Sequence, residues 1–138
     1  MAKTKIFVSF DFDNDRSLRD LIIGQARLPR APFDVADYSL KEASRENLWE
    51  RNARAAIGRA DKFVVMLGPR TRFAPGVGKE VAMAVALGKP RIQIIGYADG
   101  TQRWAVAGGG RVYRWTWDNL EALLTPRQKT VAEWFMGA

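Results

Sequence analysis

Three groups of side chains in this 138-residue chain have the types and spacing to do chemistry: Asp11, Asp13 and Asp15; Arg70-Thr71-Arg72; and Glu80. The chain has no histidine and no cysteine. Thiolate nucleophiles, histidine bases, Ser-His-Asp triads, Cys/His zinc sites and disulfides are therefore excluded. What remains is carboxylate, amine, guanidinium, hydroxyl and backbone chemistry, or a metal held by oxygen ligands.

The three aspartates follow directly on the apolar run Ile6-Phe7-Val8-Ser9-Phe10. Carboxylates so placed can bind Mg²⁺, favour the start of a helix, or accept hydrogen bonds from sugar hydroxyls. Phosphoacceptor chemistry would also need an aspartate after the third strand, where the chain reads Met66-Leu67-Gly68-Pro69. A substrate-facing role for Asp11 or Asp13 is the functional alternative to helix-start electrostatics. Gly78-Lys79 suggests a phosphate-binding loop, but Phe73 stands where its first glycine belongs and Glu80 where its Ser or Thr belongs. Gly76 and Gly78 likewise lack the third glycine and the leading strand of a dinucleotide fingerprint.

Glu80 is surrounded in sequence by Val77, Val81, Ala82, Met83, Ala84, Val85, Ala86 and Leu87. A helix so apolar is largely buried, and a buried carboxylate needs compensation. Either Glu80 is a helix-start acid paired with Lys79 or an arginine, or it projects into a crevice as the acid available for chemistry. In the second case it can hold ribose hydroxyls and stabilise the oxocarbenium-like centre formed when a C–N glycosidic bond breaks. Nicotinamide leaves as a neutral group and needs no general acid, so a chain without His or Cys can run that reaction.

The elements that must position these groups alternate. Ile6–Phe10 reads as a buried strand, followed by a helix capped by Asn14 or Asp15 and running to Gly24 with Leu18, Leu21 and Ile22 inward. Pro29 and Pro32 break the chain before a short strand over Phe33–Asp37. A helix from Ser44 carries Leu48, Trp49, Ala53, Ala56, Ile57 and Ala60 as its apolar stripe. Phe63–Leu67 is uniformly apolar, as in a central strand covered on both faces. A helix over Val77–Leu87 ends at Gly88 and Pro90. Ile92–Tyr97 is a fourth strand, Gly108–Gly110 a mobile connection and Val112–Trp115 a fifth strand. Asp118 then caps a helix bearing Leu120, Leu123 and Leu124, and a last amphipathic helix from Pro126 uses Val131, Trp134 and Phe135. This alternation predicts one α/β domain over residues 1–138: a flavodoxin-like three-layer sandwich with a five-stranded parallel sheet in the order 2-1-3-4-5. Ligands of such sheets bind where the strand order reverses, beyond strands 1 and 3. Phe10–Asp15 and Gly68–Gly78 are the loops there.

Composition agrees with a single globular domain: 47% of residues are hydrophobic, with 22 Lys+Arg against 15 Asp+Glu, a net charge of +7. The basic residues are scattered, so an anionic partner is expected, but a nucleic-acid tail is not. No run has the length of a membrane span. A strand beginning at Lys5 leaves no room for a signal peptide, and a cytoplasmic protein is expected.

Lys5-Ile6-Phe7-Val8-Ser9-Phe10-Asp11 resembles the first strand of TIR and TIR-like domains. Asp34 to Ser39, Trp49, Ala60-Asp61 and Thr71…Gly76-Val77…Glu80…Ala84…Gly88-Lys89-Pro90 continue the likeness, which spans Lys5 to Trp117. The pattern is similar to the bacterial TIR-like family typified by the Thoeris anti-phage TIR-like subunit. The resemblance implies a flavodoxin-like fold and cleavage of NAD⁺ at the nicotinamide–ribose bond, giving ADP-ribose or a cyclic messenger. Glu80 would be catalytic and no further cofactor is implied, NAD⁺ being the substrate. Phe10 and Asp11 would form the pocket wall. With NAD⁺ as substrate, Asp13 and Thr71 would also face it, and Arg70 or Arg72 would meet the pyrophosphate. Homo-oligomers, other TIR-like domains or an effector protein are the implied partners. Where the family carries a Ser and a Trp or Tyr before the glutamate, this chain has Ala74-Pro75-Gly76-Val77. A non-catalytic TIR-like interaction module and a nucleoside deoxyribosyltransferase-like enzyme are the alternatives.

Overall fold

The computed structural model describes residues 3–36 and 46–125. In chain order these form β1 (Thr4–Ser9), α1 (Arg16–Ala26), β2 (Phe33–Val35), α2 (Glu46–Arg59), β3 (Lys62–Leu67), α3 (Pro75–Ala86), β4 (Arg91–Ile95), β5 (Arg111–Arg114) and α4 (Trp117–Leu124). Single 3₁₀ turns at Thr71–Phe73 and Gln102–Trp104 follow β3 and β4. The five strands form one all-parallel sheet in the order β2-β1-β3-β4-β5, as the alternation predicts. Among the described residues no helix is long and apolar enough to cross a membrane.

The sheet is built around β1 and β3. Phe63 to Leu67 are all buried, as a strand covered on both faces must be. Phe7 lies opposite Phe63 in the parallel register, and their rings stack with centroids 5.5 Å apart. Each such aromatic or branched side chain contributes roughly 1.5–3 kcal/mol through burial. The last turn of α3 closes at Gly88, which has the positive φ of 66° expected of a C-terminal helix cap.

Several local expectations give way to tertiary demands. Helix α1 passes through Gly24 to Ala26, because Leu18, Ile22 and Ala26 make its buried stripe and outweigh one glycine. Leu21 does not join that stripe; it is 57% exposed. Leu48, expected to face inward from α2, is likewise exposed. Helix α3 starts at Pro75, whose missing N–H costs nothing in a first turn. Thr116, not Asp118, caps α4, its Oγ1 accepting the Asn119 amide at 3.1 Å.

The Gly108–Gly110 connection is not slack. Gln93 of β4 is buried and holds it: its Nε2 donates to the carbonyls of Val106 (3.0 Å) and Gly110 (2.8 Å), and its Oε1 accepts the Val106 amide (2.7 Å). Gly110 has φ of 94°, and a Cβ there would lie 2.2 Å from the Arg91 carbonyl oxygen. The Ser44 cap, the end of the second strand at Asp37, and the helix from Pro126 with Val131, Trp134 and Phe135 lie outside the described residues.

Candidate functional site

Crossovers from β1 and β3 leave the sheet toward opposite sides, so the chain diverges beyond Ser9 and Leu67. Glu80 comes to this point from α3, in the helix's second turn, where the chain has returned over β1. It is 0% exposed, as is Ser9 at the end of β1. The Ser9 hydroxyl donates to Glu80 Oε1 at 2.7 Å across 71 residues of sequence. A hydroxyl donating to a buried carboxylate oxygen fixes its orientation. Lys79, one residue earlier, lies on the exposed side of α3 and pairs with Glu50 of α2 at 2.9 Å.

Phe10 and Asp11 continue from Ser9 and are both buried. Asp11 organises its own loop: its carboxylate accepts the Asp13 amide (3.2 Å) and the Asn14 side-chain amide (2.7 Å). This self-bonded turn is common for Asp at a strand end. Asp13 is exposed. Asp11, Asp13 and Asp15 do not converge, and among the described residues no three carboxylates gather as a metal-holding group.

Asp15 occupies the N-cap position of α1 but makes no capping bond with its side chain. Its carboxylate instead braces three loops. Oδ1 accepts from the Tyr97 hydroxyl at 2.6 Å, and Oδ2 lies 3.5 Å from the Thr71 hydroxyl. The Asp15 hydrogen bond, together with burial, pushes the Tyr97 phenol up to about 12. Thr71 is fully buried, and its Oγ1 accepts the Gly68 amide at 2.7 Å. Gly68 is required by this packing: a Cβ there would fall 2.3 Å from Asp15 Oδ2.

Of the residues singled out in the sequence, Glu80 thus reaches the end of β1 at Ser9, Phe10 and Asp11 follow directly in the chain, and Thr71 is held within the β3–α3 loop's own bonding. Arg70 and Arg72 are exposed on the same edge; Arg72 bonds the Arg103 carbonyl at 2.6 Å and covers the Phe73 ring at 4.6 Å. Ser9 and Tyr97 are the residues that sequence reasoning passed over as site members, and Asp15, weighed there as a metal ligand or helix cap, serves as a brace instead. A serine closing an otherwise apolar strand was the available signal for Ser9. The Asp15–Tyr97 bond spans 82 residues and had none. Two hollows lined by described residues lie at the ends of β4 and β5, of about 460 and 320 Å³, and neither touches Glu80.

The fold is similar to that of the solved CMP N-glycosidase BcmB of Clostridium botulinum, with a TM-score of 0.54 and 14% sequence identity over 86% of this chain and 92% of that one. At that identity the likeness is one of fold. No family model and no curated protein matches the chain.

Proposed function

We propose that this chain breaks the bond between C1′ of a sugar and the nitrogen of a base in a nucleotide, with Glu80 as the acting carboxylate. The observation that carries the reading is the buried Ser9–Glu80 hydrogen bond at the strand-order switch. Support comes also from the fold, which is similar to that of a protein named as a CMP N-glycosidase.

Glu80 would lie against the sugar and stabilise positive charge spreading over C1′ and the ring oxygen as the C1′–N bond lengthens. The bonding electron pair leaves with the base, and water then adds to C1′ and loses a proton. Ser9 keeps the carboxylate aimed while this charge develops. Glu80 is closed from solvent in this conformation. A substrate therefore reaches it only by displacing the atoms that cover it, and their replacement by the sugar leaves the carboxylate in a dry site where its charge acts strongly.

Leaving groups differ in what they ask of the protein. Nicotinamide departs neutral, which suits a chain without histidine; cytosine needs a proton at the ring as it leaves. On that ground NAD⁺ is the preferred substrate, in keeping with the TIR-like resemblance and its anti-phage signalling role. Arg70 or Arg72 would meet the pyrophosphate and Phe10 the nicotinamide. The exposed apolar side chains of Leu48, Val85 and Leu87 are surface that a homo-oligomer or an effector would cover.

The test is release of free base from NAD⁺ and, separately, from CMP by concentrated protein, with Glu80→Gln as control. The expected result is nicotinamide release that falls roughly 100-fold or more in the variant. Cytosine release alone moves the substrate to a nucleoside monophosphate. Release unchanged in the variant moves the acting group away from Glu80, and no release from either leaves the interaction module as the better description.

A further inference from the structure

We infer that the cleft between α1 and the C-terminal ends of β4 and β5 is a binding site for a flat aromatic anion, an assignment independent of Glu80. Its volume is about 460 Å³, within the roughly 300–1,000 Å³ of small-molecule sites. Leu21 and Gln25 line it from α1, Ile95 and Tyr97 from the end of β4, and Arg114 and Trp115 from the end of β5.

The walls are flat and held. The Trp115 indole N–H donates to Gln25 Oε1 at 2.8 Å, which fixes the ring across the cleft between strand end and helix. The Tyr97 ring is tethered through its hydroxyl to Asp15 and packed edge-on against Trp104, with centroids 6.0 Å apart. Leu21, excluded from the core of α1, presents its exposed side chain to the same space. An aromatic face beside an aliphatic one is a surface that a planar ring covers well.

The polar inventory selects the charge. Gln25 has Oε1 engaged by Trp115, which leaves the two N–H donors of Nε2. Thr116 Oγ1 already accepts the Asn119 amide, which leaves its O–H donor. The Arg114 guanidinium, exposed at the rim, makes no hydrogen bond or ion pair among the described residues. No Asp or Glu lines the cleft, and the Asp15 carboxylate behind Tyr97 is buried and already bonded. The side chains lining the cleft therefore offer open donors, and the one charge among them is positive. A ligand with acceptor oxygens on a ring edge, a carboxylate above all, satisfies them with a charge-assisted pair to Arg114.

The test titrates the full chain with benzoate, benzamide and inorganic phosphate into the millimolar range. The readout is the Trp115 indole N–H resonance, assigned through Trp115→Phe. The expected result is a saturable shift with benzoate, at least about tenfold weaker with benzamide and in Arg114→Gln, and lost in Leu21→Glu. Absence of a saturable benzoate shift overturns the site. Benzamide binding as tightly as benzoate overturns the anion assignment, and phosphate producing the same saturable shift overturns the aromatic one. Leu21 and Arg114 are both exposed, and the remainder of each spectrum reports folding. The benzoate–benzamide comparison on the unaltered chain decides the matter even if a variant fails to fold.

Discussion

A carboxylate removed from water must be compensated, and at Glu80 part of that compensation is one serine hydroxyl. Ser9→Ala takes the donor from a buried carboxylate oxygen and should destabilise the fold by about 1–3 kcal/mol, read from denaturant unfolding. In the base-release assay it should also lower turnover more than it alters substrate affinity, because the carboxylate loses its aim. Glu80→Gln keeps an acceptor for Ser9, so the fold should survive while release does not. Tyr97 carries a separate, pH-dependent effect. Its folded pKa lies near 12 against an ordinary value of 10.0, so the unfolded chain gives up this proton first. The stability it contributes is complete below about pH 10 and is lost as pH climbs through about 12. Tyr97→Phe should flatten that alkaline fall when unfolding free energy is followed over the same range.

At the scale of elements, two close approaches hold loops at opposite edges of the sheet, Gly68 just after β3 and Gly110 just before β5. Gly68→Ala drives a methyl into the Asp15 carboxylate and should cost about 1–3 kcal/mol, with loosening of the β3–α3 loop visible in amide exchange at Thr71. Gly110→Ala meets a carbonyl oxygen from a positive-φ residue, so it should be the more damaging of the two. Gln93→Leu preserves much of the side-chain volume but strips three hydrogen bonds from the β4–β5 connection. It should unfold at markedly lower denaturant than the parent, a loss of about 2 kcal/mol or more. The glycines in this connection looked like slack in the sequence. They are there because Gln93 needs the backbone close, and a side chain reaching from the neighbouring strand leaves no local periodicity to detect.

Across the whole molecule, a substrate that binds only the folded chain raises its stability by mass action. Glu80→Gln is the form in which to see it, since it should bind without turning over. At about 100 times its dissociation constant, NAD⁺ should add about 2.7 kcal/mol to that variant's unfolding free energy. Absence of any shift with NAD⁺ or CMP would remove nucleotides as ligands of the folded state.

Strand and helix identities, their order and the parallel sheet were legible because apolar runs and helical stripes are properties of neighbours in the chain. So was the prominence of Glu80, a lone acid within an apolar helix. The absence of His and Cys restricted the chemistry before any coordinate was known. What the tertiary structure alone decided is which groups meet: Ser9 on Glu80, Tyr97 and Thr71 on Asp15, Trp115 on Gln25. It also decided that Leu21 faces a cleft instead of the core. These pairings join residues 56 to 90 positions apart. The crossovers that bring them together are set by packing of the whole sheet, and the side chains at either end carry no sign of their partner.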